Sequence, residues 1–148
     1  MIRAAAAGDV TAWAAMRGRL WPDADAADLA AEARAFFAGD GNSLLDAVFL
    51  AEDEAARPFG FVELHIRPFV DGCDSMPVPH VEGWYVEPSA RGAGVGRELM
   101  RAAEGWARER GFTELGSDAL VENELSQRAH AACGFAETER LVMFRKPL

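Results

Sequence analysis

The stretch Arg91-Gly92-Ala93-Gly94-Val95-Gly96 decides the fold of this 148-residue chain. A short β-rich run, Val81–Val86, precedes it, and apolar residues recur at helical spacing from Val95 onward. Glycines let a backbone approach a ligand closely, and the free N–H groups of a helix's first turn attract an anion. The stretch therefore predicts either a strand-to-helix turn that binds a phosphate or pyrophosphate, or a tight turn without a ligand.

Two common phosphate-binding motifs are excluded. A P-loop requires Lys and then Ser or Thr after its last glycine, and neither follows Gly96. A dinucleotide fold requires the spacing GxGxxG within βαβ units, whereas the spacing here is GxGxG. The elements before the turn also predict a meander of strands.

The segments on both sides of the turn predict a single domain over residues 1–148. Helical periodicity is found at roughly residues 10–20, 25–38, 95–110 and 123–133. Predicted strands are Met1–Ala4, Ala47–Glu52, Phe59–Ile66, Val81–Val86, Phe112–Ser117 and Thr138–Arg145. The order β-α-α-β-β-β-α-β-α-β predicts an α/β (α+β) fold, in which a mixed, mostly antiparallel sheet is flanked by helices.

The net charge of −9 narrows the class of ligand. It argues against nucleic-acid binding, which requires clustered basic residues, and it suits either a cationic substrate or mere solubility. No apolar run is long enough to span a membrane, and the N-terminus lacks the apolar stretch of a signal peptide. Two cysteines without a CxxC pattern favour a reducing cytoplasm, and we expect no metal.

The glycine stretch, in this context, resembles the pyrophosphate-binding signature of the GCN5-related N-acetyltransferases. The matching pattern is Arg91-x-x-Gly94-x-Gly96 after a strand, and Asn123 followed by Gly134-Phe135 resembles a later segment of that family. The resemblance implies that acetyl-CoA is the cosubstrate. It also implies that the pyrophosphate is held by Arg91, Gly92, Ala93, Gly94, Val95 and Gly96.

A narrower resemblance points to the aminoglycoside 6'-N-acetyltransferase branch. It is carried by Leu20-Trp21-Pro22-Asp23, Val81-Glu82-Gly83-Trp84-Tyr85-Val86, Ser117-Asp118 with Asn123 and Ser126, and His130 with Gly134-Phe135-x-Glu137. These runs extend from position 20 to position 137. The resemblance implies transfer of an acetyl group to a primary amine of the antibiotic, and hence antibiotic resistance.

Acetyl transfer to an amine requires deprotonation of the ammonium, stabilisation of the thioester oxygen and protonation of the departing thiolate. Glu82 and Asp118 are the candidates for binding the ammonium or taking its proton. Their alternative roles are a solvent-facing strand residue and a turn or helix cap. Neither Cys73 nor Cys133 has an evident base partner, so we expect direct attack by the amine without an acyl-enzyme.

The family resemblance also assigns the coenzyme contacts. The backbone of Trp84, Tyr85 and Val86 is expected to pair with the pantetheine arm, with one N–H polarising the thioester. Asn123 is expected to contact the coenzyme, and its alternative role is a helix N-cap.

Three further residues have a functional and a structural interpretation. His130 stands where many family members have an acidic tyrosine, and it either protonates the thiolate or supports its helix. Trp21 either lines the antibiotic site or packs at a helix boundary. Glu137 is a third candidate for contact with the cationic substrate, or a solvated strand residue.

Three functions remain open at this point. The chain acetylates an aminoglycoside, or it acetylates another amine such as a polyamine, a peptide N-terminus or a lysine, or it is a non-catalytic acyl-CoA sensor.

The sequence also favours a homodimer, because the apolar strand predicted at Thr138–Arg145 leaves an edge that a second subunit can pair with.

Overall fold

The computed structural model describes the whole chain, Met1–Leu148. Its strands are β1 (Ile2–Ala4), β2 (Ala47–Glu52), β3 (Pro58–Arg67), β4 (Val78–Val86) and β5 (Gly116–Ser117), and its helices are α1 (Val10–Leu20), α2 (Ala26–Ala38), α3 (Val95–Glu109) and α4 (Glu124–Ala132). Single 3-10 turns at Ala7–Asp9 and Pro88–Ala90 precede α1 and the glycine turn. No helix is both long and apolar enough to cross a membrane.

The five strands form one mixed sheet in the order β1-β2-β3-β4-β5. Neighbouring strands from β1 to β4 are antiparallel, and β4 and β5 are parallel, which confirms the predicted meander and the mixed, mostly antiparallel sheet. In the β3–β4 pair, Glu63 is opposite Gly83 and Leu64 is opposite Val81. Glu82 is therefore the extra residue of a β-bulge, a feature that re-aims side chains and is common beside active sites.

Two apolar clusters hold the helices to the sheet. The first includes Leu99, Met100 and Ala103 of α3, which pack with Leu64 and Val81. In the second, α1 and α2 contribute the side chains of Trp13, Met16 and Ala33, which pack against sheet residues of β2, β3 and β4. The clusters leave the start of α3 and the end of β4 side by side, where the glycine turn joins them.

Local signals placed α2 correctly. The side chain of Asp25 accepts hydrogen bonds from the N–H groups of Ala27 and Asp28, so it is the N-cap. Gly39 ends the helix in the left-handed conformation, with φ of 67°.

The strand predicted at Thr138–Arg145 is wrong for the isolated chain. No backbone–backbone hydrogen bond involves a residue after Phe135, and Val142, Met143 and Phe144 are 78%, 93% and 92% exposed. The alternation of apolar residues favours a strand, but a strand forms only where a neighbouring edge accepts its hydrogen bonds. This tail lies against no such edge of its own sheet.

Two other boundaries differ from prediction. The strand expected at Phe112–Ser117 is reduced to Gly116–Ser117, and the strand expected at Val81–Val86 begins three residues earlier, at Val78. β4 begins at Val78 although Pro79 lacks an N–H, because Pro79 still pairs in register with Ile66 of β3. The longer β4 places His80 inside the sheet.

A buried ion pair joins α1 to β3. Glu63 is 1% exposed and accepts hydrogen bonds from Trp13 Nε1 at 3.1 Å and from the guanidinium of Arg17. Arg17 is 5% exposed and also reaches Glu32 of α2 at 2.9 Å. Burial raises the pKa of Glu63, although Arg17 and Trp13 oppose that shift. The charge of Arg17 therefore allows Glu63 to remain in the core.

We expect Arg17→Met to lower the free energy of unfolding by about 3–5 kcal/mol, because it leaves a buried carboxylate without its counter-charge. The double variant Arg17→Met/Glu63→Gln should be less destabilised than Arg17→Met alone. Arg19→Met is the matched control, since Arg19 is 54% exposed in its pair with Glu87, and it should cost less than about 1 kcal/mol. Urea unfolding measures all three, and equal losses for Arg17→Met and Arg19→Met would contradict the assignment.

Candidate active site

The glycine turn has the geometry of an anion-binding loop. Gly92 and Gly94 have φ values of 83° and 86°, and a Cβ added to either would meet nothing within 4 Å. α3 then begins without a side-chain cap, so the N–H groups of its first turn face open space. Left-handed glycines followed by an uncapped helix start suit a pyrophosphate.

Trp84 supports the same conclusion independently. Its indole Nε1 is buried and has no hydrogen-bond partner. The ring lies against Gly96, where an added Cβ would be 3.2 Å from Trp84 Cζ2. A buried donor without an acceptor is costly, and a ligand in the adjacent turn is a natural source of that acceptor.

Positive charge lies beside the turn. A cavity of about 520 Å³ is lined by Arg97, Met100, Arg101, Glu104, Ala132, Cys133 and Gly134. Arg91 has a structural role at the turn, since its Nε donates to the carbonyl of Val86 at 2.8 Å and its guanidinium lies over the Tyr85 ring. Because the Nε of Arg91 is already bonded, Arg97 and Arg101, which line the cavity, are better placed to bind anionic groups of a ligand.

The end of β4 has a free backbone edge. β5 pairs with β4 only at His80 and Val81, whereas Trp84, Tyr85 and Val86 pair with β3 on the other side. The edge of β4 that faces away from β3 thus has no strand neighbour beyond Val81. An extended ligand arm can form strand-like hydrogen bonds there.

Glu82 is held by two basic side chains. Arg67 donates to both carboxylate oxygens, at 2.7 and 2.8 Å, and His80 Nδ1 lies 3.4 Å from Oε1. Burial opposes ionisation of Glu82, but Arg67 and His80 outweigh it and hold the pKa at about 2. A carboxylate with so low a pKa is a fixed negative charge and a weak base.

Asp118 lies next to this group, immediately after β5. Its side chain is 79% exposed, and its one polar contact is with His80 Nε2, 3.6 Å from Oδ2. His80 itself is 2% exposed. The structure therefore brings the two predicted carboxylates, Glu82 and Asp118, to opposite sides of one buried imidazole.

His130 sits within a hydrogen-bonded chain. Its Nδ1 lies 2.7 Å from the carbonyl oxygen of Ser126, and its Nε2 lies 2.7 Å from Ser117 Oγ. Because the carbonyl only accepts, Nδ1 carries a proton, and in the neutral ring Nε2 accepts from Ser117. The ring also packs edge-on against Trp84 and Phe135. His130 is therefore beside the candidate coenzyme site, with Ser117 as the nearest hydroxyl donor.

Three predicted residues make no hydrogen bond to the carboxylates Glu82 and Asp118. Asn123 Oδ1 accepts from the N–H of Ser126 at 3.1 Å, which is the helix N-cap role. Glu137 is exposed and pairs with Arg140 at 2.6 Å, and no hydrogen bond joins it to Glu82 or Asp118. Trp21 lies against Gly83 and beneath the guanidinium of Arg17, so it borders β4 next to Glu82.

Other side chains have no evident catalytic geometry. The hydroxyl of Tyr85 donates to Glu87 at 3.0 Å, and burial and Glu87 raise its pKa. Burial also raises the pKa of Cys73 and of Cys133, which disfavours a thiolate nucleophile at either position. The structure assembles no group of three His, Cys, Asp or Glu side chains suited to a metal.

Sequence reasoning missed Arg67, His80 and Ser117. His80 and Glu82 stand two residues apart in β4, a spacing that places them on one face of a regular strand. The predicted strand began at Val81, so it left out His80; a strand that begins at Val78, as in the structure, includes both residues. Nothing in the sequence pairs Arg67 with Glu82, because their contact depends on the β3–β4 register.

Comparisons with known proteins agree with this geometry. The family model described as "Acetyltransferase (GNAT) family" matches residues 12–135. The chain is 46% identical to an aminoglycoside N(6')-acetyltransferase type 1 of Stenotrophomonas maltophilia, covering 99% of this chain and 93% of the relative. It is 43% identical to an enzyme of the same name from Klebsiella aerogenes, covering 100% and 97%.

The fold is also similar to that of a solved acetyltransferase structure. It is AAC(6')-Iy in complex with the bisubstrate analogue CoA-S-monomethyl-acetylneamine, with a TM-score of 0.90 and 36% sequence identity. The alignment covers 100% of this chain and 98% of that one. A similarity of this extent includes every element described above.

We expect the carboxyl carbon of Glu82, followed by ¹³C NMR, to titrate with a midpoint at about 2. Arg67→Met should raise that midpoint by at least about one unit, because it removes the bidentate counter-charge. Since the folded-state pKa is depressed, the stability contributed by Glu82 is present above pH 4.5 and lost as pH falls toward 2. Arg57→Met, which removes the partner of Asp53 instead, is the control; a similar shift in both variants would refute the pairing.

Proposed function

Because the chain belongs to the acetyltransferase (GNAT) family, we propose that it transfers the acetyl group of acetyl-CoA to the 6'-amine of an aminoglycoside, and so confers resistance to it. The amine attacks the thioester carbonyl directly, and no protein nucleophile takes part. Two cysteines with raised pKa values fit this route.

The observation that carries the proposal is the placement of opposite charges in adjacent parts of the fold. The glycine turn, the uncapped start of α3 and two arginines form an anion-binding region that suits the coenzyme. Glu82, at the bulge of β4, and Asp118, directly after β5, form a region of negative charge. An aminoglycoside is a polycation, and acetyl-CoA is an anion with an extended arm.

The two carboxylates and the free edge of β4 have the central roles in this proposal. Asp118, which is exposed, contacts the substrate ammonium, and Glu82 supplies a fixed negative charge behind it. The free backbone edge at Trp84, Tyr85 and Val86 aligns the pantetheine arm, and one of its N–H groups polarises the thioester oxygen.

Six further predicted residues surround the two substrates in this proposal. Gly92, Gly94 and Gly96 hold the pyrophosphate. His130 lies beside the departing thiolate. Its protonated form donates from Nε2 to Ser117 Oγ while the Ser117 hydroxyl passes its own proton to the thiolate, which leaves a neutral His130. Trp21 and Glu137 are proposed to border the antibiotic.

A panel of amines with acetyl-CoA tests the proposal. Release of coenzyme A, followed with a thiol reagent, should occur with kanamycin and tobramycin. Polyamines, an N-terminal peptide and lysine complete the panel and identify another acceptor if there is one. Absence of release with every aminoglycoside would overturn the assigned substrate, and binding of acetyl-CoA without release with any amine would indicate a sensor.

Asp118→Asn should lower kcat/KM for the aminoglycoside by about 10–100-fold, because it removes a charge-assisted contact of about 1.5–3 kcal/mol. The KM for acetyl-CoA should stay within about twofold, since Asp118 lies outside the glycine turn. Asp40→Asn is the matched control, an exposed aspartate that accepts only from the N–H of Asn42. If Asp118→Asn behaves like Asp40→Asn, Asp118 does not contact the substrate.

We further propose that the chain forms a homodimer in the cytoplasm. The tail after Phe135 exposes Leu141, Val142, Met143 and Phe144, and β5 is a sheet edge with an unpaired side. Each copy thus has an extended apolar segment and an open edge that a second copy can satisfy. Both cysteines are free, which fits a reducing compartment.

Light scattering after size-exclusion chromatography tests the dimer. The wild type should have about twice the mass of one chain, and Val142→Asp/Phe144→Asp should have the mass of one, because charge opposes burial of the tail. Leu44→Asp, which alters an exposed leucine outside the tail, should remain a dimer. A wild type with the mass of one chain would exclude this proposal.

A further inference from the structure

His80 is the unexplained feature of the site. It is 2% exposed, yet Nδ1 has no hydrogen bond of good geometry, and no hydrogen bond engages Nε2. Its ring packs against Gly116, where an added Cβ would lie 3.3 Å from His80 Cδ2. A buried imidazole with two unbonded nitrogens is costly unless those nitrogens serve charged partners.

Both ring nitrogens face carboxylates. Nδ1 is 3.4 Å from Oε1 of Glu82, and Nε2 is 3.6 Å from Oδ2 of Asp118. Of the two, Nδ1 is completely sealed from solvent. The side chain of Glu82 is 24% exposed and that of Asp118 is 79% exposed, so solvent screens the charge of Asp118 more strongly. The neutral ring therefore carries its proton on Nδ1, facing Glu82, and the lone pair of Nε2 points toward Asp118.

This arrangement answers a chemical need that the carboxylates do not meet. An amine must lose a proton before it attacks, and the best general base has a pKa near the working pH. Arg67 donates a hydrogen bond to each carboxylate oxygen of Glu82, so Glu82 is not free to take the proton of the ammonium. Imidazole is the side chain that normally changes charge between about pH 5 and 8. Of the three histidines, His65 faces Asp46 and His130 faces Ser117. Only His80 lies beside Glu82 and Asp118, the carboxylates proposed to face the substrate.

Resting on the proposed function, we propose that His80 is a positioning residue that orients Asp118 and takes up, through it, the proton that the substrate ammonium releases. The N–H bond of the ammonium breaks, and its electron pair stays on the nitrogen that attacks the thioester. The proton passes along the carboxylate of Asp118 to Nε2 of His80. The resulting imidazolium has Glu82 on one side and Asp118 on the other, and solvent removes the proton when products leave.

The surrounding charges fit this step. Glu82 lies on the same strand as His80, Asp118 follows β5, and Arg67 of β3 neutralises Glu82. Cys73, in the loop before β4, also lies near Gly116, since a Cβ added to Gly116 would be 3.5 Å from its sulfur. Burial raises the pKa of Cys73, so its thiol stays neutral. His65 is the register partner of His80 on β3. With a neutral His80, the group Arg67, Glu82 and Asp118 has a net charge of −1, which attracts the ammonium.

Two variants separate proton uptake from positioning. His80→Phe keeps a planar ring without nitrogen, and His80→Gln keeps a polar partner for Asp118 that takes up no proton. We expect both to lower kcat for the amine by about 100-fold at pH 7.5 and to lose a limb of the kcat profile between pH 5.5 and 8. The KM for acetyl-CoA and the melting temperature of His80→Gln should be unchanged, and His65→Phe is the control.

The outcomes are distinguishable. Restoration of kcat in His80→Gln would mean that His80 only positions Asp118, and unchanged kcat in both variants would mean that it does neither; either result overturns the proposal. If aminoglycosides are not acetylated, the proposed function fails first, and the variants are assayed with the amine that the panel identifies.

A second measurement does not depend on turnover. Ring ¹⁵N signals of His80 in the wild-type enzyme should show that the neutral form is protonated on Nδ1. A neutral ring protonated on Nε2 would overturn the proposal even in the absence of an identified amine.

Discussion

The parting of β4 from β5 is the constraint on which the rest of this structure depends. The two strands pair only at His80 and Val81, and from Glu82 onward β4 has no neighbour on that side. Backbone groups at a free edge must bond to something, so the edge is available to an extended ligand. The same parting places the glycine turn, which follows β4, on one side of the gap and Asp118, which follows β5, on the other.

Charge is distributed around that gap by residues that no single strand brings together. Arg67 comes from β3, His80 and Glu82 from β4, and Asp118 from the end of β5. The bulge at Glu82 matters because an extra residue redirects the side chain without changing the strands on either side. The core pair Arg17–Glu63 keeps α1, and with it Trp21, against the same part of the sheet.

Much of the fold was predictable because its signals are local. The cap at Asp25, the left-handed Gly39 and the helix that begins at Val95 each depend on a few adjacent residues. The strand predicted at Thr138–Arg145 was wrong, since its alternation describes what the segment is able to do and says nothing of whether a sheet edge lies beside it. The same distinction applies to the candidate site. The glycine turn was predictable because it depends on adjacent residues, whereas the contact of Glu82 with Arg67 depends on the pairing of β3 with β4.

The sequence by itself determined the glycine turn, the order of the elements as far as α4 and the two candidate carboxylates, because glycine conformation and hydrophobic periodicity act over a few residues. Only the tertiary structure decided what those carboxylates do. Arg67 makes Glu82 a permanent negative charge, and His80 stands between it and Asp118. The reason is physical: a pKa depends on the charges within a few ångströms, and strand register, not sequence distance, sets which charges those are.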